Sequence, residues 1–196
     1  MILTYDIIKK ILQSKKYNFF EGELNLNMVG IRTNNRKIDN WDDYFCLVYQ
    51  ENGQDKIFID DQFTTDPGIT YMQKKLLNPK GCSILVPGQY KGMWTIGLHQ
   101  NKYEAFVQKN PCSVYRDRNL NNYLDFDPTT IDTGIFGINQ HHGYDSKNVG
   151  PNSAGCQVHK SIKTLKQILD IAKKSVPLHG PTFTYTLLEE SDIRIC

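Results

Sequence analysis

The chain has 196 residues, of which 39% are hydrophobic and 22% charged, with a formal charge of +2. That is enough chain to bury a real core in one domain, 1–196, and the composition is ordinary for a globular protein. Lys and Arg are scattered rather than striped, which argues against a nucleic-acid partner, and no run approaches the ~18 apolar residues of a helical membrane span, so no stable membrane insertion is expected.

Residues 4–16 put Ile7, Ile8, Ile11 and Leu12 on one stripe behind Thr4, a residue type that caps helix starts. This predicts a short amphipathic helix, with residues 1–22 packing as a helical segment on a sheet. From residue 23 to about 140 the helical period is absent. Leu24, Leu26 and Met28 alternate; the run 44–49, the pair Asn52-Gly53 and the run 56–60 read as a hairpin. Further strands are predicted at 83–86, 94–98, 103–107 and 113–116. Beyond Cys156 the period switches once: Ile162, Leu165, Ile168, Leu169 and Ala172 mark a helix over about 161–174, with Pro177 and Gly180 beyond it. An alternating strand over 183–188 follows. The pattern predicts one α+β domain, mostly antiparallel and β-rich, with an N-terminal helix and a helix after the Cys156 loop.

The five cysteines (Cys46, Cys82, Cys112, Cys156 and Cys196) form no CxxC pair, which argues against a disulfide framework or a Cys-rich zinc knuckle. Synthesis in a reducing cytosol is expected. The start, Met1-Ile-Leu-Thr-Tyr-Asp6, carries an early acid and no apolar h-region, so no Sec signal is read there.

Chemistry concentrates in His141-His142 and the downstream run Asn152-Ser-Ala-Gly-Cys156-Gln157. A nucleophilic thiol needs an adjacent base or cation, and either histidine supplies one if the segment containing Gly143, Gly150 and Pro151 folds back. Gly155 permits close backbone approach, so the amides of Gly155, Cys156 and Gln157 are candidate oxyanion donors. Ser153 can bond within the loop or to substrate. The competing readings are a buried structural cysteine, as expected for Cys46, and a pair of exposed loop histidines. A zinc site would need His99 or His159 as third ligand beside His141 and His142.

The segment Gly137-Ile-Asn-Gln-His-His-Gly143, then Val149-Gly150 and Ser153-Ala-Gly-Cys156, resembles the catalytic motif of the L,D-transpeptidase (YkuD-type) family. The variant with Ser-Ala-Gly-Cys-Gln-Val is similar to a set of phage-encoded proteins related to it, as are Thr64-Thr-Asp-Pro-Gly68 and Ile96-Gly-Leu-His99. The motif covers about 20 residues and the looser likeness about 25–160. The resemblance implies a β-rich L,D-transpeptidase-like domain whose cysteine attacks peptidoglycan stem peptides through a thioester, without a cofactor. Cys156 is then the nucleophile and His141, at the Asn-x-His place, the base; His142, which precedes Gly143, is the competing assignment. Ser153, Gln157, Asn139 and His99 are the candidates for contacting substrate. Two departures stand out: the family usually has Arg two places after the cysteine, where this chain has Val158, and the His-to-Cys interval is a residue or two short.

The phage likeness favours hydrolysis over cross-linking and a lysin or wall-degrading role, reached after holin release or virion delivery. The rival expectations are a catalytically inactive virion or wall-binding protein and a His-ligated metallohydrolase. Lesser signals are a candidate Ca²⁺ loop at Asp117, Asn119, Asn121 and Asp125, which has Asn122 where glycine and Pro128 where glutamate would be expected. Arg116 and Arg118 are candidate carboxylate ligands. Trp41 and Trp94 are read as core or rim residues before sugar platforms.

Overall fold

The computed structural model describes residues 2–193, so Cys196 and Met1 lie outside the described residues. The strands are β1 (Asn27–Arg32), β2 (Asp43–Glu51), β3 (Gln54–Thr64), β4 (Cys82–Leu85), β5 (Gly88–His99), β6 (Tyr103–Gln108), β7 (Cys112–Asp117), β8 (Asp132–Gly134), β9 (Gln140–His142), β10 (Gln157–His159) and β11 (Thr182–Glu189). The helices are α1 (Tyr5–Ser14), α2 (Ile162–His179) and α3 (Glu190–Ile193), with one π-helical turn at Thr70–Lys74. Eight strands close a barrel in the order β1-β11-β5-β6-β9-β10-β3-β2, while β4, β7 and β8 form a separate sheet in the order β4-β7-β8. The fold is α+β and strand-rich. Two barrel pairings, β1 with β11 and β9 with β10, are parallel, so the barrel is mixed.

Side-chain alternation assigns the faces. Met28 of β1, Phe45 and Leu47 of β2, and Phe183, Tyr185 and Leu187 of β11 point into one cluster with Trp94, Phe106 and the buried face of α2. The intervening Val29, Ile31, Cys46, Val48 and Leu188 point outward, where Ile8, Ile11 and Leu12 of α1 cover them. That cover explains why residues 44–49 are apolar without alternation: both faces of β2 are buried. Each fully buried Ile or Leu of α1 contributes about 1.5–3 kcal/mol. The helix starts where Thr4 Oγ1 accepts the Ile7 N–H at 3.2 Å.

The hairpin turns on Asn52 (φ 55°) and Gly53 (φ 71°), both left-handed as a two-residue turn of this type requires. Helix α2 is longer than the pattern predicts and runs through Pro177. Proline so near the end removes a single donor, and the Gly180 N–H still reaches Val176 O at 2.9 Å. Gly30 carries a different constraint. A Cβ there would lie 1.8 Å from Tyr185 Oη, so the tyrosine crosses directly over bare backbone. A third cluster, Ile38, Met72, Cys82, Ile84 and Leu124, seats the small sheet beside the barrel. No helix among the described residues is long and apolar enough to cross a membrane.

Candidate active site

Gln140-His141-His142 and Gln157-Val158-His159 have little intrinsic strand preference; their neighbours impose it. β6 and β3 flank the two segments, which pair with each other in parallel, Val158 opposite His141. The histidine pair is therefore buried in a strand, not exposed in a loop. The connection between them is held at both ends. Gly143 N–H donates to His159 O at 2.7 Å, and Gln157 N–H to Asn139 O at 2.9 Å. Gly155 (φ +121°) rests on β4, where a Cβ would come within 2.3 Å of Ser83 O.

Behind the loop sits the segment Thr64-Thr-Asp-Pro-Gly68. Gly68 N–H donates to Ser153 O at 2.9 Å, and Gln157 Nε2 reaches Thr65 O at 3.3 Å. Buried Arg32 fixes that segment through Thr65 Oγ1 and Asp66 Oδ1, both 2.9 Å away, and donates to Leu85 O at 2.9 Å. Asp43 accepts the Thr65 N–H at 2.7 Å; burial, with Asp66 adding to it, pushes the Asp43 carboxyl up to about 7. A charged network of this kind is costly to bury and is retained here where it shapes the cysteine loop.

Cys156, His141, His99, Asn139, Cys82 and Arg116 line one cleft of about 500 Å³, with exposed Leu77 and Ile135 on its walls. Cys156 is partly exposed there, and its thiol donates to Gly137 O at 3.4 Å. Dense protein around the sulfur pushes the thiol up to about 11, the Asn139 amide pulling the other way. The group at rest is a neutral thiol, not the ionised sulfur expected of a cysteine poised beside a cation.

His141 Nδ1 lies 2.9 Å from the backbone oxygen of His142. A carbonyl only accepts, so Nδ1 carries the proton and Nε2 keeps its lone pair. Burial, and then the neighbouring His99, bring His141 down to about 3, so the ring is neutral. His99 stacks on it with centroids 4.0 Å apart and takes a 3.1 Å hydrogen bond from Asn139 Nδ2 at its own Nδ1. His142 points elsewhere: it stacks on Tyr103 at 4.1 Å, and its Nδ1 accepts the Tyr144 N–H at 3.3 Å. Of the pair, His141 alone lines the cleft with Cys156.

Other candidates fall away from the cleft. Ser153 is fully buried; its hydroxyl donates to Cys156 O at 3.0 Å and accepts the Gly155 N–H at 3.2 Å. Gln157 faces the barrel interior, accepting from Tyr185 Oη at 2.7 Å. These two shape the loop instead of meeting substrate. With the Gly155 and Gln157 amides so engaged, the Cys156 N–H is the remaining oxyanion donor of the expected three.

The oxygens of Asp117, Asn119 and Asn121 accept backbone N–H groups two to eight residues on, and Asn119 Nδ2 donates to Asp125: a chain of polar turns. Among the described residues no group of three or more His, Cys, Asp or Glu side chains is arranged to hold a metal ion. His159 lies in the barrel interior, 2.7 Å from Asp60, and His142 faces Tyr103, so neither joins His141 and His99. Trp94 is buried and donates to Ile138 O at 2.8 Å; Trp41 packs on Gly143 and donates to Ser146 O at 3.1 Å.

Sequence reasoning did not single out Arg32, Cys82 or the Gly137 carbonyl. Arg32 had a signal, an arginine closing an otherwise apolar strand; the carbonyl had none. No family model, curated protein or solved structure matches this chain. The L,D-transpeptidase resemblance therefore rests on the motif residues alone.

Proposed function

We propose that this chain is a cysteine acyl-transfer enzyme acting on peptidoglycan stem peptides, in the manner the L,D-transpeptidase resemblance implies. The observation that carries the reading is that Cys156 lines one cleft with a histidine whose Nδ1 is committed to a backbone carbonyl and whose Nε2 has no hydrogen-bond partner among the described residues. General-base attack starts from a neutral thiol and a neutral imidazole, and with His141 at about 3 and Cys156 at about 11 the proton transfer is steeply uphill in the resting site. Nε2 of His141 takes the thiol proton as sulfur adds to the substrate carbonyl, and returns it to the departing amine. The Cys156 N–H meets the developing oxyanion. Water or an amine then resolves the thioester; the phage-like motif favours water, and hence a lysin or wall-degrading role.

Mass spectrometry of peptidoglycan digested with wild type, Cys156→Ser and Cys156→Ala tests this. Wild type should release L,D-cleaved muropeptides, and both variants should lose at least a thousandfold in rate. Unchanged products from Cys156→Ala would remove the proposal.

One observation favours a second reading. The thiol is bonded to Gly137 O and held far above neutral pH, as in a domain that keeps the fold and binds wall without turnover. Sacculus binding by wild type with no released muropeptides would establish that alternative.

A further inference from the structure

Arg116 faces two cavities. Its guanidinium lines the thiol cleft and also a neighbouring pocket of about 340 Å³, bounded by Lys80, Arg118, Thr129, Thr130 and Asp132. The side chain is almost wholly buried and fixed on several sides. Nε and Nη2 each lie 3.2 Å from Asp132 Oδ2, Nη1 lies 2.6 Å from Ser83 Oγ, and the plane covers the Phe136 ring at 4.4 Å. Nη1 also approaches Gly81 O at 3.4 Å.

The pocket holds an excess of positive charge. Lys80 shares Asp132 with Arg116, at 3.2 Å, so one carboxylate faces two cations. Arg118 adds a third; it is exposed on the pocket wall and has no ion-pair partner among the described residues. The other acids nearby are turned away. Asp127 accepts both the N–H and hydroxyl of Thr129, and Asp117 accepts the N–H groups of Asn119 and Asp125. Thr130 Oγ1 is likewise engaged, taking the Arg116 N–H and donating to Asp127 O. Arg116 spends its Nε/Nη2 edge on Asp132, so the guanidinium left to grip a carboxylate with two parallel N–H bonds is that of Arg118, with Lys80 and Arg116 adding positive charge beside it.

We infer that the Lys80–Arg116–Arg118 pocket is an anion subsite that takes a free carboxylate of the peptide whose reacting carbonyl lies at Cys156. This rests on the acyl-transfer reading for the identity of the peptide. It also supplies the cation that position 158, a valine, does not. Arg116 is common to the linings of both cavities.

The test compares a stem tetrapeptide with its C-terminal carboxamide, by calorimetric titration into Cys156→Ala protein so that no turnover intervenes. The carboxylate should bind at least tenfold tighter. Arg118→Gln, an exposed change, should cut that preference below about threefold, and added salt should weaken it. Arg116→Gln should do the same, with its folding checked separately because Arg116 also braces Ser83. Equal affinities, no binding of either peptide, or a preference that survives both Arg118→Gln and Lys80→Gln would overturn the subsite. The two ideas separate cleanly. Wild-type cleavage of both peptides with the same KM keeps the enzyme and removes the subsite, whereas carboxylate preference without thioester formation does the reverse.

Discussion

His141 and His159 lie on adjacent parallel strands and have the same tautomer, yet one lines a cleft and the other is part of the core. His159 Nδ1 is 2.7 Å from Asp60 Oδ2, its Nε2 takes a hydrogen bond from Gln140 Nε2 at 2.7 Å, and its ring packs between Phe45 and Phe63. Both nitrogens are employed. His141 spends Nδ1 on a backbone carbonyl, its Nε2 has no hydrogen-bond partner among the described residues, and the residue lines the cleft. The difference lies at Nε2: a buried imidazole can serve as a base only through a nitrogen without a partner, and in His159 Gln140 occupies that nitrogen.

The comparison breaks most sharply through turnover. His141→Gln should lower kcat by 10²–10⁴-fold per folded molecule, with the folded fraction fixed by urea unfolding because the ring is buried and stacked on His99. Equal activity in His141→Gln and wild type would remove the assigned difference. His159 should answer in the opposite currency. Burial alone would raise the Asp60 carboxyl, but the hydrogen bond from His159 brings it below the usual carboxylate range. Asp60→Asn should therefore cost about 3 kcal/mol in urea unfolding, and leave the rate per folded molecule near wild type.

The acid side sharpens the contrast further. His141 titrates near 3 in the fold and near 6.5 when unfolded, so below 6.5 the unfolded chain takes up the proton first. Its burial thus costs nothing above pH 6.5 and removes up to ~1.4 kcal/mol per pH unit as pH falls towards 3. His141→Phe should flatten that part of the stability–pH curve. Asp60 works at lower pH: its contribution is complete above the unfolded carboxyl value and is lost as pH drops through the lowered one. The smallest effect belongs to the cleft's second ring. His99→Phe keeps the stack on His141 and should change kcat by less than tenfold, with the pH profile of iodoacetamide labelling of Cys156 still rising towards about 11.

How much of this was legible follows from which forces act locally. The β2–β3 hairpin was readable because Asn52-Gly53 fixes its own turn, and α1 because its stripe and its Thr4 cap are a few residues apart. β9 and β10 were not. Three-residue polar segments are strands only because β6 and β3 lie beside them, and nothing within Gln-His-His announces a parallel partner. The thiol, the glycine before it and the histidine pair were visible as residue types. Which histidine faces the cleft depends on strand parity, and parity is set by register with distant chain. Ser153 was readable as bonding either within its loop or to substrate, and it knots its own loop; Gln157, expected towards substrate, meets Tyr185. Arg116 was readable as a candidate carboxylate ligand; its place in the linings of two cavities comes from pairing with β4, more than thirty residues upstream.

The bond from Tyr185 to Gln157 has a bearing on when this molecule becomes competent. Tyr185 belongs to β11, reaches across the bare backbone of Gly30 in β1, and holds the residue next to the thiol. Three stretches from opposite ends of the sequence must be home before Cys156 has its final surroundings. Until residues 182–189 have docked, the cysteine is an ordinary thiol on an unfinished chain. On the proposed acyl-transfer reading, activity should appear only with barrel closure.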